Sequence, residues 1–285
     1  MLSCYTTNLV GHLRRENPSI EREFACAVNL SVRTDLPDGM LAFTQHHRID
    51  SSLGYRGAST WGEARDELIA EFKRYGDVLA VANTRNLPWS PTYRSGSEDI
   101  PHWIRLTDQT GRRWRVTDEF NALLPQGEQH PHDDWVDDRE LCAMLTPLPP
   151  LPPEIHYRDI HALGDTLDVP PPHCYRWLAR CFGDSPPHSG RWIMGTTATL
   201  RYLAGRFTED LDALRRHTED LWAAGRHHQY RFAHNDAVST AWGELSRSLR
   251  FAIQSADRGR PRPTLVCRAF EQILSSTSAL EILLQ

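Results

Sequence analysis

A run of prolines near the middle of the chain, TPLPPLPPE from Thr146 to Glu154, limits what the chain can fold into. Proline has no backbone N–H and a fixed φ angle, so the run fits neither a helix interior nor a central strand. It favours an extended polyproline segment. A second break, DVPPPH, follows at Asp168 to His173. We therefore predict a first domain over residues 1–146, a proline-rich connecting segment over 147–169 and a second domain over 170–285.

The start of the first domain has the pattern of a helix. Apolar Tyr5, Leu9 and Leu13 recur four residues apart and share one helix face. Ser3 is a residue type that caps helix starts, and it stands just before the pattern. This interpretation places Cys4 in the first turn of the helix.

The rest of the first domain mixes helix and strand patterns. A capping box, Thr60 to Glu63, opens a second predicted helix over 61–75. The apolar run 77–82 suits a central strand. Residues 102–118 alternate on both sides of a turn at 109–111, which predicts a hairpin. This order favours an α+β domain with a largely antiparallel sheet.

The second domain is predicted to be mainly helical. Apolar residues recur at helical spacing in four segments, which are Thr199–Phe207, Glu209–Ala224, Asn235–Ala256 and Leu265–Leu284. No hairpin signal interrupts them, and such segments pack as a helical domain.

Composition narrows the class of function. The net charge is −5, so the chain lacks the basic excess that binding to a phosphate backbone requires, and we expect no nucleic-acid partner. The start MLSCYTTNL lacks the pattern of a signal peptide, and no apolar run reaches the length of a membrane span. We therefore expect a cytoplasmic protein without a membrane partner, whose thiols stay reduced.

Cys4 is the first candidate for chemistry. The free N–H groups and the dipole of a helix start favour a negative charge, and a nucleophilic cysteine must form its thiolate. Taken alone, Cys4 also fits a small apolar residue that packs the helix end.

The predicted hairpin supplies candidate partners for this thiol. His102 opens its first strand and Asp118 closes its second, and the outer ends of paired strands lie side by side. A carboxylate beside an imidazole is the base-and-orienter pair of a catalytic triad. A surface histidine beside an unrelated turn aspartate is the alternative.

Three stretches together resemble a known family. These are CYTTNLVGHLR (4–14), GDVLAVANTRNLPWSPTY (76–93) and HWIRLTDQTGRRWRVTDEF (102–120). The order of a cysteine-headed helix, a strand, a histidine-headed strand and an aspartate is similar to that of papain-like enzymes. More narrowly, it resembles the family of butirosin biosynthesis protein H, acyltransferases of antibiotic biosynthesis that also carry a helical C-terminal domain.

The resemblance implies a papain-like catalytic domain over 1–146 with Cys4 as nucleophile, His102 as base and Asp118 as orienter. It implies transfer of an acyl group from the thioester of an acyl or peptidyl carrier protein, through a Cys4 acyl-enzyme, to the amine of a small acceptor. No resident cofactor is expected, because the partner protein carries the phosphopantetheine.

The oxyanion donors are the main departure from papain-like enzymes. Those enzymes use a glutamine just upstream of the cysteine, whereas only three residues precede Cys4 here. The backbone N–H of Cys4 and either Asn8 or Gln45 are the expected donors.

Several residues near the three stretches are candidates for binding substrate: Tyr5, Asn8, Trp89, Tyr93 and Trp103. Packing within the sheet is the alternative for Trp103. The pairs at His46-His47, His130-x-His132 and His227-His228 lack partners at metal-ligand spacing, so we expect solvated histidines and no metal site.

Other functions stay open. The same triad supports a thioesterase or a cyclase that forms a lactam or cyclic imine, because the sequence does not choose between water, an external amine and an internal one. A non-catalytic module that binds a carrier protein, and a peptidase, are the remaining alternatives.

Overall fold

The structure is a computed structural model that describes residues 2–94, 99–181 and 189–283. The chain forms two compact units. The first, the sheet unit, contains Leu2–Arg22 and Ile49–Pro187. The second, the helical unit, contains Glu23–Arg48 and His188–Gln285.

The elements are numbered along the chain. The helices are α1 (Cys4–Leu13), α2 (Ile20–Ala27), α3 (Trp61–Tyr75), α4 (Asp138–Met144), α5 (Pro153–Ile160), α6 (Thr196–Glu209), α7 (Leu211–Arg231), α8 (Asp236–Asp257) and α9 (Pro263–Leu283). The strands are β1 (Val28–Arg33), β2 (Ala42–His46), β3 (Leu53–Ala58), β4 (Val78–Asn83), β5 (Pro101–Thr110), β6 (Arg113–Asp118), β7 (Ala122–Leu124), β8 (Gly127–Gln129), β9 (His132–Asp137), β10 (Tyr175–Arg180) and β11 (Trp192–Ile193).

The sheet unit is built on a six-stranded sheet with the order β3-β10-β4-β5-β6-β9. Every pair of neighbours in it is antiparallel. All six residues of β4 are buried, as expected for an apolar strand in the middle of a sheet. The predicted mixture of helices and antiparallel strands is confirmed.

Local signals set the start and end of α3, which follows its prediction. The Thr60 side chain accepts from the Glu63 N–H at the start of the helix. Gly76 ends the helix with a positive φ of 72°, a conformation that glycine adopts without steric strain.

The helical unit has a core of apolar side chains from α6 to α9, including Phe207, Leu214, Trp242 and Phe270. These helices correspond to the four predicted segments, with ends that differ from the prediction by one to seven residues. Leu30 of β1 belongs to the same core, and β1 pairs with β2 and β11 in a three-stranded sheet.

The units differ from the predicted division at residues 146 and 170. Residues 23–48, expected in the first domain, belong to the helical unit because the apolar face of β1 packs in its core. Residues 175–180, expected in the helical domain, form β10 between β3 and β4. The prolines of the connecting segment precede α5, which begins at Pro153, a position where the missing N–H is not needed.

In the part of the chain that the structure describes, none of the helices combines the length and the hydrophobicity of a membrane span.

Candidate active site

Cys4 is the first residue of α1 and is partly exposed. Ser3 caps the helix as predicted: its Oγ accepts from the Thr6 N–H at 3.5 Å. The Thr7 N–H donates to the Ser3 carbonyl at 2.9 Å, which is the first bond of the helix ladder. The N–H groups of Cys4 and Tyr5 therefore lie at the open end of the helix, where the dipole favours an anion.

His102 and Asp118 contact each other at the outer end of the β5–β6 hairpin. The distance from His102 Nε2 to Asp118 Oδ2 is 2.7 Å, and the two residues are only 2% and 0% exposed. The predicted neighbourhood of the pair is thus confirmed. The imidazole Nε2–H donates to the carboxylate, which leaves Nδ1 as the ring nitrogen available for another partner.

A β-bulge that the sequence did not reveal brings these two side chains to one face of the sheet. Near the turn, Asp108 pairs with Arg115, but further out Leu106 pairs with Val116, so Thr107 is an extra residue in β5. Because side chains alternate between faces, one extra residue reverses the side to which the outer part of the strand points. Without the bulge, His102 and Asp118 would face opposite sides of the sheet.

The Cys4 thiol is the other neighbour of His102, close enough for its side chain to raise the pKa of the imidazole. Burial by itself lowers the pKa of the His102 imidazole. The charges of Asp118 and Cys4 and their hydrogen bonds outweigh it, and the pKa rises to about 10. At neutral pH the site therefore holds an imidazolium between a carboxylate and a sulfur, the charge distribution that activates a cysteine.

Asp118 is held by several donors. Its Oδ2 accepts from His102, from Trp89 Nε1 at 2.8 Å and from Gln129 Nε2 at 3.1 Å. Its Oδ1 accepts from Asn8 Nδ2 at 2.8 Å and from the Phe120 N–H at 3.0 Å. Burial raises the pKa of this carboxyl, but the His102 charge and the hydrogen bonds lower it below its ordinary value. The carboxylate is thus fixed in orientation and stays ionised.

Asn8 joins the nucleophile's helix to the hairpin. Its Nδ2 lies 2.7 Å from the Trp103 carbonyl, 2.8 Å from Asp118 Oδ1 and 3.3 Å from the Cys4 carbonyl. Its Oδ1 accepts from the Glu119 N–H at 3.1 Å. Asn8 is fully buried, and both amide atoms are bonded to protein. These bonds make Asn8 a positioning residue. Its predicted roles in substrate binding and oxyanion stabilisation stay predictions.

Gln45, the other predicted oxyanion donor, is a residue of the helical unit. Its Nε2 donates to the Asp220 carbonyl at 3.1 Å. The side-chain N–H of Gln45 therefore donates to a backbone carbonyl of the helical unit.

Trp89 makes two contacts that the sequence does not predict. Its indole N–H donates to Asp118, and its ring stacks on His132 with centroids 3.8 Å apart and planes 5° apart. These contacts are with Asp118 of β6 and His132 of β9, and the predicted role of Trp89 in substrate binding stays a prediction. Tyr93 lies further along the same loop, with the Arg94 guanidinium 4.7 Å from its ring, and its predicted role in substrate binding stays a prediction.

Tyr5 and Trp103 stack on each other, with ring centroids 4.7 Å apart. Trp103 is fully buried, so packing in the sheet, the alternative interpretation, describes it. Tyr5 is partly exposed and follows Cys4 in the first turn, so its predicted contact with substrate stays a prediction.

His47 and His130 are exposed as expected, but the other paired histidines differ from the expectation of solvated side chains. His46, His227 and His228 are at most 2% exposed. His132 is partly buried against Trp89. Within the described ranges, no group of three or more His, Cys, Asp or Glu has a geometry that would hold a metal ion.

Sequence reasoning missed two groups of residues near the triad. Gln129 is a donor to Asp118 from β8, and no local pattern marks it. Asp159 and Arg176 form a buried ion pair near Tyr5, although they are 17 residues apart in two different elements.

Neither a comparison with protein-family models nor one with curated proteins finds a match for this chain.

Proposed function

We propose that the chain is a cysteine-dependent acyltransferase that acts on the acyl thioester of a carrier protein. The observation that carries this proposal is the assembly of Cys4, His102 and Asp118 from α1 and the β5–β6 hairpin. The hydrogen bond from His102 to Asp118 at 2.7 Å and the influence of the Cys4 side chain on the pKa of His102 support the role proposed for each residue.

In the proposed reaction, Cys4 Sγ attacks the thioester carbonyl, and an oxyanion forms on the carbonyl oxygen. The intermediate collapses with cleavage of the bond to the carrier's sulfur, which takes a proton from the His102 imidazolium. The acyl group is then a thioester of Cys4. An acceptor amine attacks it, His102 accepts a proton from the amine nitrogen, and the bond to Cys4 Sγ breaks. Asp118 keeps His102 oriented throughout.

The N–H groups of Cys4 and Tyr5 are the oxyanion donors in this proposal. They take the role that a glutamine upstream of the cysteine has in papain-like enzymes. Their support is the position of Cys4 as the first residue of a capped helix, where the first N–H groups have no acceptor within the helix.

On the same grounds we propose that the sheet unit belongs to the papain-like class. We also propose that the chain is related to the family of butirosin biosynthesis protein H. A cysteine at a helix start beside an antiparallel sheet that carries the histidine and the aspartate supports this assignment. In this proposal the partners are an acyl or peptidyl carrier protein and a small amine in the cytoplasm, where thiols are reduced.

The test is the formation of a covalent acyl adduct. The protein is incubated with an acyl-loaded carrier protein, and its intact mass is compared between the wild type, Cys4→Ala and the matched control Cys26→Ala. Cys26 is exposed and lies outside the sheet unit, so its loss should leave the adduct unchanged. We expect the adduct in wild type and Cys26→Ala and none in Cys4→Ala.

The outcomes separate the competing functions. An adduct on Cys4→Ala would contradict the assignment of the nucleophile. Carrier binding without any adduct in the wild type would replace the enzyme with a binding module. An adduct that disappears in water without an amine present would favour a thioesterase, and release of a ring-closed product would favour a cyclase.

A further inference from the structure

A second buried polar cluster lies beside the triad. We call it the Asp159 cluster, and its members are Tyr5, Tyr55, Trp103, Asp159 and Arg176. Asp159 is fully buried, and Arg176 is 6% exposed. The mechanism proposed above uses none of its charged groups.

Hydrogen bonds connect the cluster into one network. Asp159 Oδ2 accepts from Arg176 Nη1 at 2.5 Å, and Asp159 Oδ1 accepts from the Tyr55 hydroxyl at 2.6 Å. Trp103 Nε1 donates to the Tyr55 oxygen at 3.2 Å. The Tyr5 hydroxyl lies 3.4 Å from Asp159 Oδ1. Burial, followed by the Asp159 charge, raises the pKa of both tyrosines well above the ordinary value, so both hydroxyls keep their protons and act as donors.

Stability alone is a weak reason for this arrangement. Removing a carboxylate and a guanidinium from water costs several kcal/mol each, and their mutual attraction often does no more than offset that cost. Apolar side chains of similar volume often stabilise a fold as well as a buried ion pair does, or better. A buried pair that specifies the position of particular neighbours is the better-supported use of such groups.

Two members of the Asp159 cluster, Tyr5 and Trp103, directly follow the two reacting residues in the sequence. Tyr5 follows Cys4 in the first turn of α1, and Trp103 follows His102 in β5. Their rings stack on each other at 4.7 Å, and Tyr55 meets the Trp103 ring edge-on with centroids 6.2 Å apart. The cluster therefore holds the residue next to the nucleophile and the residue next to the base.

We propose that the Asp159 cluster is a positioning device that sets the distance between the Cys4 thiol and the His102 imidazole. Asp159 fixes the Tyr5 and Tyr55 hydroxyls by hydrogen bonds. Because both tyrosine rings pack on the Trp103 ring, they hold α1 in a fixed position relative to β5. This inference rests on the proposed role of Cys4 as nucleophile.

The test measures the thiol itself and needs no acyl substrate. The rate at which iodoacetamide alkylates Cys4 is followed by mass spectrometry of the Cys4 peptide between pH 5 and pH 10. The variants are Tyr5→Phe and Tyr55→Phe, which remove one hydroxyl each and keep the ring. Tyr157→Phe is the matched control, because Tyr157 is a partly buried tyrosine of α5, the helix that carries Asp159.

The expected result is a loss that depends on pH. At about pH 6 the Cys4 thiol reacts only with the help of a correctly placed His102, so alkylation of Tyr5→Phe and Tyr55→Phe slows by about three- to tenfold. At pH 9 to 10 an ordinary thiol is ionised without help, so the rates converge with that of the wild type. Tyr157→Phe follows the wild type at every pH.

Two results would overturn the inference. One is a rate–pH profile in both hydroxyl variants that superimposes on the wild type. The other is a change in rate by the same factor at every pH, which is what altered access to the thiol would produce. Failure of the proposed function is a separate observation, namely a wild-type protein whose Cys4 follows the expected alkylation profile but never accepts an acyl group.

Discussion

Both units bury histidines, but the pKa of the buried imidazole shifts in opposite directions in the two units. In the sheet unit, the charges of Asp118 and Cys4 outweigh burial, and the pKa of His102 rises to about 10. In the helical unit, burial dominates, and the pKa values of His227 and His228 fall to about 3. The helical histidines donate to backbone carbonyls, those of Ala223 and Ala224.

This difference separates a histidine that packs from one that is arranged for chemistry. A buried imidazole without a charged partner is neutral, since desolvation disfavours its cation. Only a specific anion keeps a buried imidazole charged, and maintaining that anion in turn requires hydrogen bonds such as those around Asp118. The direction of the pKa shift, together with geometry, therefore marks the sheet unit as the site of catalysis in our proposal.

The replacement Asp118→Asn should make His102 resemble the helical histidines, and it should have the largest effect. Loss of the carboxylate removes the main charge that raises the pKa of His102. We expect acyl transfer to fall by about 10³- to 10⁴-fold, as when a triad loses its orienting carboxylate. Single-turnover acylation measures the rate, and NMR titration of the His102 ring measures the pKa.

Asp133→Asn is the control for that variant, because Asp133 lies on the neighbouring strand in an exposed pair with Arg115. It should leave both readouts unchanged. If Asp118→Asn retained wild-type acylation, Asp118 would not be the orienter of the base.

Acid should act mainly on the helical unit. The unfolded chain protonates its histidines below about pH 6.5, whereas the folded unit resists protonation of His227 and His228 down to about pH 3. The free energy of unfolding should therefore fall by about 1.4 kcal/mol per pH unit for each of these two histidines within that window. Hydrogen exchange of peptides from the helical unit at pH 7, 6 and 5 measures the loss.

His227→Phe should weaken this acid sensitivity, since an aromatic ring is kept beside Phe24 but the titrating group is lost. His234→Gln is the control because His234 is exposed. Equal acid sensitivity in all three proteins would show that the buried histidines do not govern it.

Alkali should act on the sheet unit, with the opposite sign. The folded-state pKa of His102 is about 10, above the unfolded value of about 6.5. Its contribution is fully present below about pH 6.5, and it is lost at about 1.4 kcal/mol per pH unit as the pH rises towards 10. Urea unfolding of the wild type and His102→Gln at pH 6, 8 and 9.5 measures this, and the difference between them should shrink as the pH rises. A constant difference would argue against a charged His102 in the folded state.

Asn8→Ala should lower activity by a smaller factor, about 10- to 100-fold. The change removes one donor from Asp118 and the bond to the Trp103 carbonyl, so both the carboxylate and α1 lose a fixed partner. Hydrogen bonds to charged groups contribute about 1.5–3 kcal/mol, which is the source of this range. The measurement is the rate of Cys4 acylation, with circular dichroism to establish that the fold is retained.

A suitable control is Asn29→Ala, since Asn29 lies on β1 in the helical unit and its amide bonds are with Ser31 and Thr196. An Asn8→Ala protein with wild-type acylation would show that the amide links are not needed to position Cys4.

Local signals in the sequence were sufficient to predict α3, β4, the hairpin and the helices of the helical unit. Each depends on residues close together in the chain, such as Thr60 with Glu63 or the alternation over 102–118. The pairing of His102 with Asp118 was predictable for the same reason. The bulge at Thr107 was not, because a one-residue change of register leaves the apolar alternation nearly intact.

Features that depend on distant partners escaped prediction. β10 lies after the proline-rich segment and reads as neither helix nor hairpin, yet its Trp177 completes the core of the sheet unit. Residues 23–48 precede the proline-rich segment, and only packing assigns them to the helical unit. The role of Asn8 depends on bonds to residues 95 and 110 positions away, which no spacing rule reveals.

The replacement Trp89→Phe tests the smallest predicted effect and decides between two roles for this side chain. Phenylalanine keeps an aromatic ring against His132 but cannot donate to Asp118, which still has other donors. If Trp89 acts only through Asp118, kcat should fall by about three- to fivefold with KM unchanged. This factor corresponds to about 0.7–1 kcal/mol, the ordinary net contribution of one hydrogen bond, because the other donors to Asp118 remain. If Trp89 lines the substrate pocket, as its sequence context predicted, KM should rise instead. Steady-state kinetics with a series of acyl carrier thioesters separates these outcomes, because a pocket residue changes the preference among acyl groups, whereas a residue that only orients Asp118 slows all of them by the same factor.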